Sequence, residues 1–175
     1  MNDEKMQLLH KLCNQGDGES CYKIGREYRY TSGGYYGHDL QQALKYFKKS
    51  CDLKYATGCD YVAMTYMDES FSEYNIDKAI KYYKLGMTKE YDYEHVLGSP
   101  RSLAEIYINI KNDIPTGANI LSKECDKGDD FVCGNALGCF GSDMPKNTRD
   151  KVLNYYMNNH PDKCRKCRFM DRWSL

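Results

Sequence analysis

The chain of 175 residues carries 41% hydrophobic and 29% charged residues, enough apolar material for one core of ordinary size, which argues against disorder as its main state. Twenty-five Lys and Arg balance twenty-five Asp and Glu, so no net field favours DNA, RNA or an anionic membrane. No run approaches the roughly 18–20 apolar residues of a bilayer span, and the opening ten residues lack the apolar segment of a secretory signal; a soluble single domain over 1–175 is expected.

Taken in chain order, the first landmark is the pair Cys13 and Cys21. It is followed by Cys51 and Cys59, then Cys125 and Cys133, each pair with the same spacing of eight. A disulfide needs Cα atoms roughly 4.4–6.8 Å apart, whereas positions eight apart on one unbroken helix lie about 12 Å apart along its axis. The chain must therefore turn between paired cysteines if they bond. Turn material is present in Asn14-Gln-Gly-Asp-Gly18, in Ala56-Thr-Gly58 and in Asp126-Lys-Gly-Asp-Asp130. Each bridge would then clamp the end of one helix to the start of the next and indicate an oxidising compartment. The alternatives are reduced, buried cysteines in a cytosolic helical protein, or a metal site, for which separate pairs at this spacing lack the usual close half-sites.

The helix that follows, Cys21-Tyr-Lys-Ile-Gly-Arg-Glu-Tyr28, carries Gly25 as a close helix contact and Tyr28 as the residue covering the adjoining seam. Next comes Tyr30-Thr-Ser-Gly-Gly-Tyr-Tyr-Gly37, glycine-rich but without the GxxxxGK[ST] order of a phosphate loop; it reads as an inter-repeat turn. The second hairpin opens with Asp39-Leu-Gln-Gln-Ala-Leu-Lys-Tyr-Phe-Lys-Lys-Ser-Cys51. Leu40, Ala43, Leu44 and Phe47 share one helical face, with the lysines largely opposite. Its second helix, Cys59 to Tyr66, repeats the small-residue and tyrosine pattern with Ala63 and Tyr66.

Asp77-Lys-Ala-Ile-Lys-Tyr-Tyr-Lys-Leu-Gly86 echoes the second hairpin, and Ala43 and Ala79 stand 36 residues apart, a helix–turn–helix repeat period. This third unit departs from the pattern: Met87 and Pro100 stand where cysteines are expected, and a longer turn runs through Glu90 to Pro100. It is the candidate hinge or specialised surface, or a unit that has simply lost a redundant staple, and its second helix is expected around Leu103–Tyr107. Tyr46 and Tyr82 are expected to pack at a groove or repeat boundary; with Trp173 they are also the candidate partner surface.

After the fourth unit, which bears the third cysteine pair, Asp150-Lys-Val-Leu-Asn-Tyr-Tyr156 reads as a partial last repeat. Of the remaining cysteines, Cys139 could bridge to Cys164 or Cys167. Nine cysteines cannot all pair within one chain, so a free thiol or a disulfide-linked dimer follows from the count. His160, Cys164, Cys167 and Cys139 form a weak zinc set, and Cys164-Arg-Lys-Cys167 a weak redox motif beside basic residues. Neither HExxH nor GxSxG occurs. Ser20-Cys-Tyr-Lys23 matches Ser-x-x-Lys, but SDN and KTG partners are absent, so no catalytic residues are assigned.

The run Ala43-Leu-Lys-Tyr-Phe-Lys-Lys-Ser-Cys-Asp-Leu-Lys-Tyr-Ala-Thr-Gly-Cys59, with Leu121-Ser-Lys-Glu-Cys125-Asp-Lys-Gly-Asp-Asp-Phe-Val-Cys133, resembles the cysteine-rich branch of Sel1-like repeat proteins. The resemblance covers nearly the whole chain and is strongest at 39–66 and 118–140. It implies an all-α fold: an α/α superhelical solenoid of disulfide-stapled hairpins, about four of them plus a partial C-terminal capping repeat, with a concave recognition face. Within that family, the Helicobacter cysteine-rich proteins are exported and associated with penicillin binding or weak β-lactamase activity. A mitochondrial branch serves respiratory-chain assembly in the intermembrane space, with proposed haem binding. The expectation is a noncatalytic protein-interaction scaffold with a protein partner and no cofactor, in an oxidising compartment. The intermembrane space is favoured over the periplasm or secretion. β-Lactam binding or hydrolysis, thiol redox chemistry, and haem or metal handling are the alternatives.

Overall fold

The structure is a computed structural model that describes residues 3–30, 38–88, 99–126, 147, 151, 154, 155 and 158, and at 99, 122 and 124–126 the backbone alone. The chain divides into two compact units, Met1–Ser99 and Pro100–Leu175. The division falls inside the third hairpin, at the Pro100 position where the cysteine pattern breaks.

The first unit contains α1 (Asp3–Asn14), α2 (Gly18–Arg29), α3 (Leu40–Asp52), α4 (Ala56–Tyr66) and α5 (Ile76–Gly86). Each helix packs chiefly on its sequence neighbours, and α2 also touches α4, the contact pattern of stacked helix hairpins. Equivalent positions in successive repeats fill the core. Met6, Leu44 and Ile80 are buried, as are Leu9, Phe47 and Tyr83. Full burial of a residue such as Phe47 contributes about 2–3 kcal/mol. Gly25 faces that ring, and a Cβ there would lie 2.6 Å from it. Glycine is required at this point by the closeness of α2 and α3.

Helix starts are set by side-chain acceptors at equivalent positions. Asp39 accepts from the Gln42 N–H at 3.0 Å and Asn75 from the Lys78 N–H at 2.8 Å. Asp77, which the sequence offers as the echo of Asp39, instead lies in the first turn of α5, where its charge suits the positive end of the helix. Asp17 caps α2, taking both the backbone N–H and the hydroxyl of Ser20.

The helix stops repeat as well. After α1 the Gly16 N–H donates to the Cys13 carbonyl and the Asp17 N–H to that of Leu12, with Gly16 at φ 97°. After α3 the same two bonds run from Lys54 to Cys51 and from Tyr55 to Ser50, with Lys54 at φ 66°. Both are Schellman stops, and a lysine holds the left-handed position that glycine holds 38 residues earlier. The second turn is therefore Leu53–Tyr55 and not Ala56-Thr-Gly58, which forms the first turn of α4. Gly58 serves another purpose: a Cβ there would strike the Ser50 side chain and lie 2.8 Å from the Cys51 nitrogen. Buried Ser50 in turn donates to the Gly18 carbonyl at 2.7 Å, tying the end of α3 to the start of α2.

The second unit contains α6 (Ser99–Glu105) from its second residue on, a π-helical turn over Ile106–Ile110 and α7 (Ile114–Asp126). The helix expected around Leu103–Tyr107 thus begins earlier and widens at its end, where the Lys111 N–H reaches back five residues to the Ile106 carbonyl. α7 packs on the widened turn, with Gly117 admitting Ile108 and the Ala104 carbonyl. Asp113 caps it from the position equivalent to Asp39 and Asn75, accepting from the Thr116 N–H at 3.1 Å. Among the described residues every regular element is helical, and none is long and apolar enough to cross a membrane.

Candidate functional site

Cys13 and Cys21 lie 2.06 Å apart at sulfur, and Cys51 and Cys59 lie 2.02 Å apart. The four cysteines are buried in two apolar clusters, one shared by α1 and α2 and one by the end of α3 and the start of α4. Cys125 lies in α7, but its side chain and Cys133 fall outside the described residues, as do Cys139, Cys164, Cys167, Trp173 and His160. The zinc set and the CxxC motif therefore lie outside them too.

Tyr46 and Tyr82 sit at equivalent seams. The Tyr46 ring stacks on Tyr28 at 5.7 Å and meets His10 edge-on at 5.8 Å. Tyr82 stacks on Tyr66 at 5.9 Å. Both rings are half-buried against the cysteine-containing clusters. The paired tyrosines thus join the second helix of one hairpin to the first helix of the next.

Beside these seams, an open groove of about 450 Å³ runs along α3, lined by Gln41, Leu44, Lys45, Lys48, Lys49, Asp52 and Glu73. Its lysines are held from beneath. Lys48 Nζ lies 5.3 Å from the centre of the Tyr66 ring, Lys45 Nζ 6.0 Å from that of Tyr46, and Lys49 donates to Asn14 at 3.0 Å. Burial works against the Lys48 charge, but its hydrogen bond to Tyr66 and the electrostatic pull of Tyr66, Tyr82 and Glu73 outweigh that and keep the ammonium more firmly protonated than usual. On the far wall Glu73 pairs with Lys78 at 3.6 Å and accepts from Gln41 at 3.2 Å.

The opposite helices carry a second aromatic cluster. Tyr22 contacts Tyr61 at 4.9 Å, Tyr55 at 5.6 Å and Phe47 at 6.1 Å, with the Arg26 guanidinium over Tyr22 and Tyr30. Nearby, Arg29 donates to Thr65 at 3.1 Å and pairs with Asp68 at 3.6 Å, fastening α2 to α4 and the segment beyond it. Ser70 donates to the same carboxylate at 2.6 Å and His38 engages the Arg29 carbonyl, so these polar residues form a clasp around the end of α2.

Asp60 occupies the position equivalent to Tyr22 and is 7% exposed. Burial pushes its carboxyl up to about 7. Nothing in Cys59-Asp-Tyr61 signals this, because the flanking pattern is that of any helix start. Among the described residues, no three His, Cys, Asp or Glu side chains converge as a metal site.

Stapled helix hairpins with repeated stops, starts and tyrosine seams define a helical repeat protein. Neither the scan against family models nor the search of curated proteins gives a match. Among solved structures, the chain is similar to a Sel1 repeat protein from Oxalobacter formigenes, with a TM-score of 0.57 and 14% identity over 89% of this chain. It spans 64% of that protein's length. The fold is that of Sel1 repeats.

Proposed function

We propose that this protein is a noncatalytic scaffold that presents a preformed helical surface to a protein partner in an oxidising compartment. The carrying observation is the groove on α3, whose side chains are ordered by the tyrosine seams on a frame stapled by two disulfides. Ordering before binding lowers the entropy lost on association. The likeness to a Sel1 repeat protein supports an array built by stacking, and the polar clusters described on it are spent on structure. The mitochondrial intermembrane space is the preferred setting, with an assembly role there, and a disulfide-linked dimer through the ninth cysteine belongs to the same reading.

Affinity capture with the oxidised protein, followed by reconstitution with the purified partner, tests this. A saturable complex supports the scaffold. Turnover of nitrocefin or thiol-dependent reduction of insulin by the purified protein, with no partner recovered, would replace it with the β-lactamase or redox alternative. A haem or metal role would be registered by absorbance titration and elemental analysis of the full chain.

A further inference from the structure

We propose that the α3 groove receives an extended acidic peptide with carboxylates at alternate positions and a cation at the end that meets Asp52. The inference rests on the scaffold reading and names the chemistry of its partner. Lys45, Lys48, Lys49 and Asp52 follow one another at steps of three, one and three residues, so they form a single stripe on α3. Lys45 is separated along the helix axis from Lys48 by about 4.5 Å and from Lys49 by about 6 Å, at 1.5 Å per residue. Alternate side chains of an extended peptide recur every 6.6 Å or so, close to the longer of these steps.

Charge within the groove points the same way. Glu73 is already engaged by Lys78 and Gln41, and Asp52 is the one other carboxylate in the lining. Three ammonium groups therefore face two carboxylates, Glu73 on the far wall, which is shared with Lys78, and Asp52 at the end of the stripe, so positive charge is in excess along the stripe until Asp52. A peptide matches this by ending its acidic stretch with Lys or Arg. The unbroken phosphates of a nucleic acid would run into Asp52. Among the described residues no aromatic ring lines the groove for bases to stack on, and Tyr66 beneath it is 2% exposed with Lys48 and Lys78 over it.

The test uses the full oxidised chain and a fluorescein-labelled ten-residue peptide alternating Glu and Ser and ending in Lys, read by anisotropy. A Gln-for-Glu peptide is expected to bind about tenfold more weakly, the combined size of three exposed ion pairs. Lys45→Glu with Lys48→Glu should lose the same factor. Lys45→Glu with Lys49→Glu leaves the Lys48–Tyr66 contact in place and should do likewise, while gaining affinity for a Lys-for-Glu peptide. Circular dichroism and disulfide mapping establish that each variant folds. Absence of peptide binding, equal affinity for the Gln peptide, indifference to charge reversal, or tighter binding of decathymidylate or of phosphatidylserine vesicles would overturn the inference. A purified protein partner whose affinity ignores both double variants would also overturn it, while leaving the scaffold standing.

Discussion

Lys54 holds a left-handed backbone conformation that costs a residue with a Cβ about 1 kcal/mol and costs glycine almost nothing. Lys54→Gly is expected to raise stability by about 1 kcal/mol, read as a shift in the urea midpoint at unchanged slope. Gly25→Ala goes the other way. The added methyl meets the Phe47 ring at 2.6 Å and should cost about 1–3 kcal/mol in the same measurement. Asp60 adds a pH dependence. Its folded carboxyl titrates near 7, above the 3.8 of an ordinary aspartate, so the fold binds the proton more tightly than the unfolded chain does. Stability from this group is full below about pH 4 and is lost as pH rises through 7. Between pH 5 and 8 the loss is on the order of 2–3 kcal/mol. Asp60→Asn should flatten that part of the stability–pH profile and be the more stable protein at pH 8.

At the scale of helices and turns, each short-range disulfide closes a nine-residue loop, worth about 2–3 kcal/mol in the chain-entropy account. Replacing Cys51 and Cys59 together by Ala should cost at least that amount and lower the thermal midpoint, measured by calorimetry in the oxidised state. Much of this level was legible in the sequence. The spacing of eight required a turn between cysteines, and the apolar steps of α3 marked its buried face. The second turn falls at Leu53–Tyr55 and not at Ala56-Thr-Gly58 for a physical reason: composition reserves left-handed positions for glycine, yet here the hydrogen bonds of the helix stop hold a lysine there, while Gly58 answers to interhelical distance. The echo of Asp39 that the sequence shows at Asp77 does not mark the cap, which is Asn75, because an acidic residue is also favourable in the first turn. The π-helical turn at Ile106–Ile110 gives no signal in a pattern of alternating isoleucines.

For the molecule as a whole, the stack of hairpins in the first unit was readable from the repeat, but the groove was not. Its lining joins α3 to Glu73, which lies between α4 and α5, and its lysines belong to a face that the helical pattern marks only as solvated. The order imposed by Tyr46 on α3, Tyr66 on the partner helix α4 and Asn14 at the end of α1 becomes visible only when the helices are packed. The bridges, by contrast, are confined to their own turns; neither ties distant parts of the chain together. Gradual addition of a reductant should therefore yield discrete species lacking one bond while retaining the other, each with its own melting point. A graded loss of robustness, distinct from wholesale unravelling, is how such a chain would register a change in the thiol balance around it.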